Sequence, residues 1–214
     1  MWVEFAPVRE INAQEFRGVL GDIDSHLPAD HPYKIDWKMP VGPIDNRGAI
    51  LVYNGTRAIN ATVRGKHGGN YNAAYFLDNN TFVAEEPKVT LTQVIAAIPK
   101  ELQGQQYNLY LPHQIATWDE KPLYILDELS ARIVTMRFAF EFEPDMVRKQ
   151  KALDLAIEWL GYGATLCNVS RQRDIVDAIL EANMQIRAII KDVPAMEEMY
   201  DQLQSYLPMA ARLY

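Results

Sequence analysis

Arg132-Ile133-Val134-Thr135-Met136-Arg137-Phe138-Ala139-Phe140-Glu141-Phe142 is the stretch on which the fold class turns. Val134, Met136, Phe138, Phe140 and Phe142 alternate with Thr135, Arg137, Ala139 and Glu141. Successive side chains of a strand point to opposite faces, so this spacing predicts a β-strand with one buried and one mostly wet face, as in an antiparallel sheet.

Upstream, the sequence adds more strand signals. Ala49 to Tyr53 and Ala58 to Val63 flank Asn54-Gly55, a pair that tolerates positive φ and marks a hairpin turn. Asn72 to Leu77 reads as another strand and Asp78-Asn79-Asn80 as another turn. Tyr107 to Leu111 and Leu123 to Leu126 read as short strands. Gln14 to Leu20 suits a short helix. Gly21 to Pro32 is rich in Asp, Ser, Gly and Pro and reads as loop. Thr90 can cap a helix reaching toward Leu102, with Leu91, Val94, Ile95 and Ile98 on one face and a stop or kink at Pro99.

Downstream, the pattern turns helical. Asp145 to Leu160 carries Val147, Leu153, Ala156, Ile157 and Leu160, ending at Gly161 and Gly163. Ser170 can cap a second helix with a stripe of Ile175, Ile179, Ala182, Ile186, Ile190 and Val193. Gln185 to Ile190 also favours β, so a helix–strand break near Asn183 competes. Pro194 suits the first turn of a last helix through about Tyr206. The expected class is α+β: an antiparallel sheet from the N-terminal two-thirds packed against C-terminal helices. One integrated domain over 1–214 is expected, with a subdomain seam near Pro144.

The chain has 21 Lys+Arg against 28 Asp+Glu, a net charge of −7, which excludes a uniformly basic nucleic-acid coat. Cys167 is the single cysteine, so no intramolecular disulfide forms, and its apolar neighbours suggest an inert thiol. The N-terminus lacks the pattern of a secretory signal and no run of 18 apolar residues occurs, so a cytoplasmic chain is expected. No Walker, dinucleotide-binding or nucleophile-elbow motif is present, and no cofactor is expected.

Charge placement is more informative than its sum. Asn46 to Leu77 contains no Asp or Glu but holds Arg47, Arg57, Arg64, Lys66 and His67. Gly65, Gly68 and Gly69 stand among the last of these, followed by Asn70, and glycines let backbone N–H groups approach an anion. The expected site is therefore an anion-binding basic hairpin of Arg47, Arg57, Arg64, Lys66, His67 and Asn70. Its partner would be a nucleic acid, a phosphate-bearing ligand or an acidic protein surface. The apolar, Met- and Tyr-rich C-terminus, from Met196 through Leu213, suggests a homo-oligomer or assembly contact, and no membrane contact is expected. The leading expectation is a non-enzymatic binding or assembly protein. One alternative is a metal-assisted phosphoester hydrolase using Asp22, Asp24, His26 and His31. Another is a purely structural subunit of a larger particle.

Overall fold

The computed structural model describes residues 1–8, 18–33 and 47–204, the side chains of Arg47 and of 202–204 excepted. Its elements run β1 (Trp2–Glu4), α1 (Gly18–Ser25), α2 (Arg47–His67), β2 (Tyr71–Phe76), β3 (Asn80–Glu85) and α3 (Leu91–Ala97). A 3-10 turn at Lys100–Leu102 leads to α4 (Gln105–Leu109), α5 (Leu111–Trp118), α6 (Tyr124–Phe142), α7 (Met146–Ser170), α8 (Arg173–Ile190) and α9 (Pro194–Gln204). The protein is α+β, with an antiparallel sheet packed against helices. The strand order is β1-β3-β2.

The stretch read as the clearest strand is the second half of α6. The correction has a simple geometric cause. At 100° per residue, positions i and i+2 of a helix lie on opposite sides, while i and i+4 lie together. Val134 and Phe138 are buried in one core, and Phe142 packs on it. Ile133 and Met136 are buried in the other, and Phe140 packs on that one. The alternation is thus two i, i+4 stripes superposed on a helix buried on both sides. Glu128–Arg132 and Arg137–Glu141 form ion pairs at a spacing of four, which a helix brings together and a strand does not.

The expected hairpin around Asn54-Gly55 is likewise absent: α2 runs through it. Thr56 and Thr62 bond back to the carbonyls of Val52 and Ala58, which reconciles β-branched residues with a helix. Gly55 is there for space rather than for a turn. A Cβ at this position would lie 2.6 Å from a methyl of Ile23, so its hydrogen lets α1 approach α2.

Local turn chemistry is borne out elsewhere. β2 and β3 pair from Tyr71↔Glu85 to Phe76↔Asn80. Asp78 and Asn79 at the turn have φ of 63° and 65°, a region their short polar side chains tolerate. Thr90 caps α3 in a capping box with Gln93, and the helix stops before Pro99. Pro194 opens α9. Alternate residues of the sheet enter different cores: Ala74, Phe76, Phe82 and Ala84 one, Ala73, Tyr75 and Val83 the other. The sheet and α6 therefore both contribute to two cores. The outer edge of β2 is closed by side-chain amides, with Asn60 of α2 accepting from the Tyr75 N–H at 2.6 Å.

Other boundaries move. Tyr107 to Leu111 spans the α4–α5 junction, and Leu123 to Leu126 opens α6. Gly161 and Gly163 lie inside α7, where a Cβ on Gly163 would meet Ile179 of α8 at 2.5 Å. Gln172, not Ser170, is the N-cap of α8, which continues unbroken past Asn183. Gly21 to Ser25 belongs to α1 rather than to a loop. Positions 14–17 of the expected first helix, and Tyr206, Leu207, Met209 and Leu213, lie outside the described residues. In α9, Met196 and Tyr200 are buried against the larger core. Among the described residues, no helix is long and apolar enough to cross a membrane.

Candidate functional site

Tyr53, Arg57, Asn60 and Arg64 recur at spacings of four, three and four along α2, so they share a face. That face meets Asp127, Glu128, Ser130 and Arg132 of α6. Asp127 is 2% exposed and Glu128 is 0% exposed. Arg64 Nη1 lies 3.3 Å from one Asp127 oxygen, and Arg57 Nε lies 3.7 Å from the other. Asn60 Nδ2 donates to Asp127 Oδ1 at 2.8 Å and to Ser130 Oγ at 3.1 Å. Tyr53 donates to Glu128, reaching Oε2 at 2.6 Å. Arg132 Nη2 donates to Glu128 Oε1 at 3.2 Å. The Arg132 guanidinium sits 4.6 Å from the Tyr53 ring centre, and that of Arg64 sits 4.7 Å from that of Tyr124.

The layering matters. The side chains of Arg57, Arg64 and Arg132 are 31%, 25% and 20% exposed, while the two carboxylates lie beneath them. Burial outweighs the attraction of Arg57, the bond from Asn60 and the charge of Arg64, and holds the Asp127 carboxyl up to about 6. Tyr53 is pushed well above the ordinary phenol range, first by burial and then by the Glu128 charge. Arg132 Nε is buried with no hydrogen-bond partner among the described residues.

The network extends to the sheet. Arg64 Nη1 donates to Asn72 Oδ1 at 3.0 Å. Asn72 Nδ2 donates to Glu86 Oε1, and the Leu123 N–H at the head of α6 donates to Glu86 Oε2, both at 3.0 Å. Burial raises the Glu86 carboxyl to about 7 despite those two bonds. A carboxyl raised in the folded chain binds its proton more tightly there than in the unfolded chain, whose value is about 4.5. Its contribution to stability is therefore complete below about pH 4.5 and lost as pH rises through about 7. Glu86→Gln is expected to remove up to about 3 kcal/mol of the stability change between pH 5 and 8. Urea denaturation at both pH values checks this: an unchanged pH slope contradicts the assignment.

The sequence-derived anion residues divide. Arg57 and Arg64 are held by the α6 carboxylates. Lys66 is exposed in the last turn of α2, 4.8 Å from the Phe5 ring centre. His67 is half-buried beside Tyr71, and Asn70 donates to Glu85 at 3.1 Å. Arg47 begins α2, its side chain outside the description. The basic Gly-rich segment is not a hairpin but the end of α2 turning into β2 through Gly68, φ 93°. Basic residues in a last helical turn complement the helix dipole, a local reason for their clustering. The acid-free window also has a tertiary cause, since the acids that balance it stand on α6.

The Asp/His constellation does not gather. Both nitrogens of His26 face main-chain oxygens, those of Asp22 and Phe5, so neither offers a lone pair to a metal. Asp22 instead accepts from the Tyr75 hydroxyl at 2.9 and 2.8 Å. Asp24 is buried, and His31 accepts from the Tyr33 N–H at 3.2 Å. Among the described residues, no group of three or more His, Cys, Asp or Glu is placed to hold a metal ion. Phe5 lies between the segments around 22–26 and 64–71, its ring near both His26 and Lys66. Cys167 is buried, and burial pushes its thiol up, as suits an inert sulfur.

Sequence reasoning missed Asp127, Glu128, Arg132, Asn72 and Glu86. The available signals were the helical spacing of 53, 57, 60 and 64, and two adjacent acids inside an apolar run. Comparison with protein-family models, curated proteins and solved structures finds no match for this chain.

Proposed function

We propose that the chain is a non-enzymatic binding protein that docks an anionic partner on the outer face of the α2–α6 seam and the adjoining basic end of α2. The supporting observation is the layering: three guanidinium groups lie outermost over two buried carboxylates, and Lys66 is exposed in the last turn of α2. A phosphate or carboxylate meets the remaining N–H edges of planar guanidinium groups, which suit such oxygens. The Tyr53 and Tyr124 rings hold Arg132 and Arg64 in place, limiting the side-chain entropy lost on binding.

The test is equilibrium binding of the full chain to inorganic triphosphate, polyglutamate and a single-stranded oligonucleotide across a salt series. At least one is expected to bind with log affinity falling linearly in log salt. Arg132→Gln combined with Lys66→Gln is expected to weaken that binding about 10-fold or more, since hydrogen bonds to charged groups contribute about 1.5–3 kcal/mol each. This pair of changes leaves Glu128 its bonds from Tyr53 and the nearby charge of Arg57, and a thermal melt of the variant checks that it remains folded. Absence of binding to all three at low salt refutes the proposal.

A further inference from the structure

The imidazole of His26 is fully enclosed, its side chain 0% exposed. Its Nδ1 lies 2.7 Å from the Asp22 carbonyl oxygen, and its Nε2 lies 2.8 Å from the Phe5 carbonyl oxygen. A carbonyl only accepts. Nδ1 also has the Ser25 hydroxyl at 3.1 Å, which spends its single proton on the Asp22 carbonyl at 2.7 Å. It therefore also presents lone pairs. Both ring nitrogens face acceptors, and only the doubly protonated ring satisfies them.

We propose that His26 is a proton-operated clasp, locking the N-terminal strand β1 to the body of the protein while the ring carries two protons and releasing it when one is lost. The two ends of the clasp belong to different parts of the chain: Phe5 follows β1, and Asp22 lies in α1. In the neutral ring one nitrogen turns a lone pair toward a carbonyl oxygen under 3 Å away, which replaces a charge-assisted hydrogen bond by repulsion.

The surroundings supply a counter-charge. The nearest is the Asp22 carboxylate, 3.8 Å from Nδ1. Tyr75 of β2 lies with its ring centre 5.1 Å away and donates to both Asp22 oxygens. Lys66 of α2 reaches the Phe5 ring that stacks on the imidazole. Asp78 beyond β2 and Glu141 of α6 bear on Asp22, and Asp24 is buried on the same helix as Asp22. Burial foremost raises the Asp22 carboxyl, so strong acid removes the counter-charge.

What it holds is β1. Besides its antiparallel pairing with β3 and the bond from the N-terminal ammonium to Val83 O, that segment is tied by Val83 N–H to Met1 O, Phe5 N–H to Asn79 O and Val8 N–H to Ser25 O, at 2.8, 2.8 and 2.9 Å. The clasp uses none of the three arginines of the α2–α6 seam.

The experiment is NMR on the full chain with ¹⁵N-labelled histidine, together with hydrogen-exchange protection of the Phe5 and Val83 amides corrected for intrinsic rate. Over a pH series, the His26 ring is expected to pass from a doubly to a singly protonated state. Protection of both amides is expected to fall about 10-fold or more over the same interval. His26→Gln, whose side chain does not titrate, is expected to abolish that pH response. A singly protonated ring throughout, or a titrating ring with unchanged protection, overturns the proposal. Should the variant fail to fold, the two measurements on the natural chain still decide.

Discussion

Phe138→Ala is expected to cost about 3–5 kcal/mol and Met136→Ala about 2–5 kcal/mol, because both side chains are buried in packed interior. Their combination is the informative experiment. On a strand these two residues share a face and pack side by side, so their effects would couple. On α6 they lie on opposite sides, Phe138 in the core with α1 and α2 and Met136 in the larger core. The double variant is therefore expected to lose the sum of the single losses to within about 0.5 kcal/mol, as residues without shared partners do. Urea denaturation of the four chains of the cycle gives the coupling. A coupling above about 1 kcal/mol contradicts the two-sided burial of α6.

The second large effect concerns the ionic seam. Asp127→Ala is expected to destabilise the protein by about 3–5 kcal/mol, because it leaves two guanidinium groups and an amide donor facing an empty position in the interior. Asp127→Asn keeps an acceptor for Asn60 and removes the cost of burying a carboxylate, so a smaller loss is expected. Lys66→Ala, at an exposed position, is the control and should stay within about 0.5 kcal/mol. Thermal or chemical unfolding at pH 8, where Asp127 is ionised, measures all three. If Asp127→Ala unfolds within 1 kcal/mol of the natural chain, Asp127 does not organise the seam.

The same two elements carry the lesson about legibility. The β2 strand with the turn after it, the capped start of α3, the amphipathic stripe of α8 and the Pro194 start of α9 were all readable from residues a few positions apart. α2 and α6 were not. Both contain β-favouring residues, and α6 presents apolar groups to two cores, so neither shows the single stripe that marks a helix on a surface. Period-2 spacing then imitates a strand. The site followed the same pattern. The basic half of the seam stood out as an acid-free window, but its meaning depended on Asp127 and Glu128, over sixty residues later.

The amino-acid sequence alone determined the α+β class, the turn at Asp78-Asn79, the Thr90 cap of α3 and the position of the positive charge. These depend on backbone chemistry within a turn or two, which each local segment satisfies by itself. Only the tertiary structure decided that residues 47–67 and 124–142 are helices lying face to face with their charges paired between them. Two-sided burial and the joining of distant acids to bases are relations between segments, and no spacing within either segment encodes them.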